Sequence, residues 1–116
     1  MDLNEAYLKH LEWKDRFRQA IINHETMDVS SIASDRCCDL GKWLHGEAKN
    51  KFGGTFTYDD CLSKHAAFHI EAGIIAETVN QKKYDEAEDL LNAPGYNLAS
   101  QAVGYAIFKL KEEISP

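Results

Sequence analysis

At 116 residues the chain is long enough for one compact domain with its own core, and a hydrophobic fraction of 44% belongs to a globular protein rather than a disordered one. A formal charge of −6, without clustered Lys and Arg, makes nucleic acid and anionic lipid poor partners. No apolar run reaches the ~20 residues needed to cross a bilayer, and Met1-Asp2-Leu3-Asn4-Glu5 lacks the positive start and apolar middle of a secretion signal. These features predict a cytoplasmic protein.

Four helical stretches are expected, with only Pro94 and Pro116 to interrupt them. The first runs from about Leu3 to His24, where Leu3, Tyr7, His10, Leu11, Phe17 and Ile21 recur at three- and four-residue steps and so share a face. Thr26 to Ser31 reads as a connection, with Ser30 or Ser31 as N-cap of a second helix from about Ile32 to Lys51. Phe52-Gly53-Gly54-Thr55 breaks the chain. A third helix should begin near Thr57, where Thr57 and Asp60 make an acidic variant of the capping box, and end near Asn80. Its stripe is Leu62, His65, Phe68, His69, Ala72, Ala76 and Val79. Tyr84 to Leu91 makes a short segment, and Ala93-Pro94-Gly95 interrupts the path to a last helix over about Asn97 to Glu113, carrying Leu98, Ala102, Tyr105, Phe108 and Leu110. No stretch alternates as a strand does. The expected fold is all-α: an antiparallel four-helix bundle with a short extra helical segment before the last helix, forming a single domain over residues 1–116.

Three cysteines, Cys37, Cys38 and Cys61, make no complete set of internal disulfides, so free thiols or metal ligands are the better reading. His65-Ala66-Ala67-Phe68-His69 places two imidazoles one turn apart on one helix face, where both can reach one ion. This is not the zinc-protease pattern, because Ala66 stands where that pattern needs a glutamate base. A structural zinc takes four ligands. His10, which interrupts an apolar stripe one turn from Tyr7 and Trp13, is the best third candidate; His24 and His45 lie nearer helix ends among polar neighbours. Cys61 shares a face with His65, but it is eight residues from His69, about 12 Å along a helix axis, too far for both to ligate one ion. It reads as a buried thiol. Between Cys37 and Cys38 the residues do not decide; periodicity slightly favours Cys37, in line with Leu40 and Leu44.

Cys38-Asp39-Leu40-Gly41-Lys42-Trp43-Leu44 reads as Cys-x-Leu-Gly-x-Trp-Leu. With His10-Leu11-Glu12-Trp13 before it and His65-x-x-x-His69 after it, the chain resembles the bacterial chemoreceptor zinc-binding (CZB) domain over essentially its whole length. The resemblance selects Cys38 over Cys37 and implies a Zn2+ site made of His10, Cys38, His65 and His69. It further implies a homodimer, and a non-enzymatic regulatory role in a soluble chemoreceptor or a diguanylate cyclase, acting through an attached or partner output domain. The stimulus it implies is zinc, or an oxidant such as hypochlorous acid acting on the zinc-bound Cys38. Gly41 would permit close approach of helices and Trp43 would report movement of the second helix.

Three rivals compete with that reading. A catalytic zinc needs an open position, which four protein ligands do not leave. A di-iron carrier needs Glu-x-x-His motifs, yet Leu62 and Ala66 occupy those positions. A structural, zinc-stabilised dimerisation module without a redox role shares every ligand with the sensor.

Overall fold

The computed structural model describes residues 1–114, which form seven helices and, among these residues, no strand. The first helix, α1 (Leu3–Asn23), starts where the Asp2 carboxylate accepts from the Glu5 backbone N–H. It stops where His24 takes the left-handed conformation, φ 54°. Leu3, Ala6, His10, Phe17, Ala20 and Ile21 form its buried face.

The second expected stretch is three short helices rather than one: α2 (Val29–Ala33), α3 (Asp39–His45) and α4 (Glu47–Phe52). Asp28, not Ser30 or Ser31, caps α2, accepting from the Ser31 backbone N–H. Residues 34–38 then run without helix. Cys38 is extended (φ −80°, ψ 162°) and caps α3 with its sulfur, which accepts from the Gly41 N–H at 3.3 Å. The break has a packing cause. A Cβ on Gly41 would lie 1.8 Å from the Asp35 carbonyl oxygen, so the loop folds directly onto the glycine's backbone. Gly41 therefore admits a loop, not a neighbouring helix. Trp43 is half-buried against Phe52.

The long α5 (Phe56–Asn80) begins one residue earlier than expected, after Thr55. The Thr57 hydroxyl bonds Glu113 instead of forming a capping box with Asp60. Tyr58, Phe68, Ala72, Ile75, Ala76 and Val79 bury α5 on more than one side, because α1, α2, α6 (Tyr84–Asn92) and α7 (Pro94–Ile114) all pack around it. Gly73 lets α2 lie close: a Cβ there would be 2.6 Å from that of Ala33. The Asn80 amide clasps Met27, donating to its carbonyl at 2.7 Å and accepting its N–H at 2.8 Å. The last helix starts three residues before the expected Asn97, with Pro94 at the first helical position, where its missing N–H is harmless.

The architecture is thus a bundle of α1, α2, α5 and α7, with α3, α4 and α6 as connections, measuring 45 × 23 × 20 Å. No helix among the described residues is long and apolar enough to cross a membrane. One part of the stripe reading is corrected. Leu11, Leu98, Tyr105 and Phe108 face outward, as does Leu8. Leu11, Tyr105 and Phe108 line an apolar groove of about 570 Å³ between α1 and α7.

Candidate metal centre

Three helices supply one cluster within the core. His10 comes from α1, Cys38 from the start of α3, and His65 and His69 from adjacent turns of α5, and one ligating atom from each lies within 4.8 Å of the others. The three imidazoles are buried and Cys38 is half-buried. Cys37 is exposed and outside the cluster, and Cys61 is buried elsewhere, with burial first and Asp60 second pushing its thiol up to about 12. His24 stacks on Tyr84, with ring centroids 3.9 Å apart. His45 donates from Nε2 to the Asp35 carboxylate at 2.8 Å. Neither belongs to the cluster.

Backbone carbonyls aim two of the donors. His10 Nδ1 lies 2.8 Å from the Ala6 carbonyl, one turn back on its own helix, and His69 Nδ1 lies 2.8 Å from the Ile32 carbonyl on α2. A carbonyl only accepts, so each Nδ1 carries the proton and each Nε2 turns a bare lone pair inward. His10 Nε2 is buried with no hydrogen-bond partner. His65 differs: its Nε2 faces the cluster, but its Nδ1 is buried and unpartnered.

The distances among three of the four donors suit a small ion, and His10 completes the set within 4.8 Å. His65 Nε2 and His69 Nε2 are 3.0 Å apart, and Cys38 Sγ lies 3.2 Å from the first and 3.7 Å from the second. A tetrahedral zinc with nitrogens at about 2.05 Å and sulfur at about 2.3 Å has N···N edges of about 3.3 Å and N···S edges of about 3.6 Å. Three nitrogens and one sulfur are donors of zinc's preferred kind.

Electrostatics favour a cation and disfavour protons. Burial, and then the neighbouring His69 and His10 rings, hold His65 down at about 3; burial chiefly lowers His10 and His69 as well. The histidines are therefore neutral at pH 7, the form that binds metal. Burial pushes the Cys38 thiol up although the Gly41 N–H pulls against it, so a metal must displace its proton.

A cleft of about 690 Å³ opens the cluster to the surface beside α1, with Lys9, His10, Trp13, Arg16, Cys37 and Cys38 in its wall. The sequence carried no sign of this cleft, nor of the Ala6 and Ile32 carbonyls, because backbone partners leave no residue-type signature.

A helical bundle whose long members and one inter-helix loop converge on a buried cluster of one cysteine and three histidines defines a metal-binding module. Residues 10–76 match the sequence profile of the chemoreceptor zinc-binding domain. The chain belongs to that family, whose members are non-catalytic sensory modules. No curated protein or solved structure shows significant similarity to it.

Proposed function

We propose that the protein is a zinc-binding sensory domain of a bacterial signalling protein, with His10, Cys38, His65 and His69 as the ligands. The observation that carries this reading is the convergence of four donors, two of them fixed by backbone carbonyls with their lone pairs inward. When bound there, zinc would hold Cys38 as thiolate and cross-link α1, α3 and α5. The Cys38 thiolate attacks a two-electron oxidant such as hypochlorous acid; it becomes a sulfenic acid as chloride leaves. Its sulfur then binds metal more weakly and the 34–38 loop is released.

The domain works in the cytoplasm, pairs as a homodimer through the α1–α7 face, and passes the loop's state to an output domain such as that of a soluble chemoreceptor or a diguanylate cyclase. The outward Leu8, Leu11, Tyr105 and Phe108 supply the apolar surface that pairing needs.

Metal analysis of purified variants tests the ligand set. Cys38→Ala loses most zinc affinity, whereas Cys37→Ala and Cys61→Ala keep one zinc per chain. Tight stoichiometric zinc in Cys38→Ala overturns the assignment. Zinc freed by mild oxidant before unfolding supports the sensor; zinc retained until unfolding supports the structural dimerisation module instead.

A further inference from the structure

Cys37 has no part in the ligand set, yet it stands next to the ligand that the redox reading oxidises. Its thiol is exposed, while Cys38 is half-buried, and both line the same cleft. The two residues lie where the chain is not helical, between the end of α2 and the start of α3. Cys38's place in the cluster rests on one backbone hydrogen bond, from Gly41, and on close contacts to His65 and His69. A Cys38 side chain that leaves the cluster can turn toward the cleft, and the nearest thiol it can meet there is that of its own neighbour in sequence.

We propose that Cys37 is a resolving thiol that captures oxidised Cys38 as a vicinal disulfide. The proposal rests on the oxidant-sensing reading above. The Cys38 thiolate gives two electrons to hydrogen peroxide or hypochlorous acid and becomes a sulfenic acid, with hydroxide or chloride leaving. The Cys37 sulfur then attacks the Cys38 sulfur, a sulfur–sulfur bond forms, and the sulfenic oxygen leaves as water with the Cys37 proton. The disulfide has no thiolate to offer a metal, so the released loop stays released until a dithiol reduces it.

The bond suits a reversible device. The peptide between the two residues is trans, so their Cα atoms are about 3.8 Å apart. That is shorter than the usual separation of roughly 4.4–6.8 Å in disulfides, and a bond made under such strain is more easily reduced. Without Cys37 the sulfenic acid remains open to further oxidation to sulfinic acid, which ordinary thiols do not reverse.

The test compares zinc-loaded wild type and Cys37→Ser after stepwise addition of one and then several equivalents of hydrogen peroxide or hypochlorite, using peptide-mapping mass spectrometry and metal analysis. Because Cys37 is exposed, serine there leaves the packing intact. Wild type should give a peptide lighter by two hydrogens that spans Cys37 and Cys38, and reductant should restore zinc binding. Cys37→Ser should lose that product, accumulate a dimedone-reactive and then a sulfinic Cys38, and fail to regain zinc on reduction. Equal sulfinic acid in both proteins, or a Cys37 disulfide between two copies on a non-reducing gel, overturns the resolving role and leaves the sensor standing. Unmodified Cys38 with zinc retained in both proteins overturns the two together.

Discussion

Three neutral imidazoles packed against one another make the metal-free domain sensitive to acid. Burial is the main reason that His65 is held at about 3, and His10 and His69 are lowered for the same reason, against 6.5 in an open chain. A folded value below the unfolded one means that the unfolded chain takes up the proton first. The stability is complete above about pH 6.5 and is lost as pH falls from there toward about pH 3. His65 alone should cost about 2 kcal/mol between pH 6.5 and pH 5, at about 1.4 kcal/mol per unit. Urea midpoints of the metal-free protein should fall over that window, and His65→Leu should flatten the slope. An equal slope in both proteins would place the sensitivity in other groups. The His65–His69 pair and its place on a buried helix face were legible from four-residue spacing. The protonation states were not, since they depend on carbonyls of Ala6 and Ile32 that only the folded chain brings near.

Among the elements, the long helices follow from periodicity, and α1, α5 and α7 lie within a few residues of where the sequence puts them. The segment from Val29 to Phe52 does not. Helical spacing favours Cys37 there, but residues 34–38 are not helical, so that spacing has no meaning at the cysteines. What breaks the helix is a contact made only in the folded chain, the Asp35 carbonyl on Gly41, backed by the Asp35–His45 hydrogen bond. Gly41→Ala measures that contact. In an ordinary helix interior the change would stabilise by about 1 kcal/mol. Here the methyl group meets the Asp35 carbonyl, and the strain of forcing that backbone aside, about 1–3 kcal/mol, wins. Denaturation of the metal-free variant should show net loss of stability. Zinc competition with a chelator should show weakened affinity, because the displaced loop carries Cys38. A variant as stable and as zinc-competent as wild type would mean that the loop is free to move away.

At the scale of the molecule, the cluster and the apolar groove share α1. Tyr7 lines the groove and its ring lies 2.8 Å from where a Cβ on Gly104 of α7 would be, while His10 follows one turn later in the His/Cys cluster. A homodimer built on this groove and a metal held by His10 would therefore bias the same helix, and the influence must be reciprocal: whatever factor zinc adds to pairing, pairing adds to zinc affinity. Phe108→Glu, on the open side of the groove, should yield a monomer by sedimentation while keeping one zinc per chain, at lower affinity. A dimer that survives the change would move the interface elsewhere. The groove was hidden in the sequence because Leu11, Tyr105 and Phe108 fit helical stripes as well as core residues do; periodicity says which residues share a face, not what covers it.

His65 is the one imidazole of the three without a carbonyl behind its outer nitrogen. To coordinate through Nε2 it must keep its proton on Nδ1, in a buried spot that offers nothing to receive it, at a cost of about 1–3 kcal/mol. Missing partners of this kind weaken metal sites by roughly 10–100-fold. If zinc binds here as proposed, a centre short of one such partner would release its ion more readily than one in which all three imidazoles are backed.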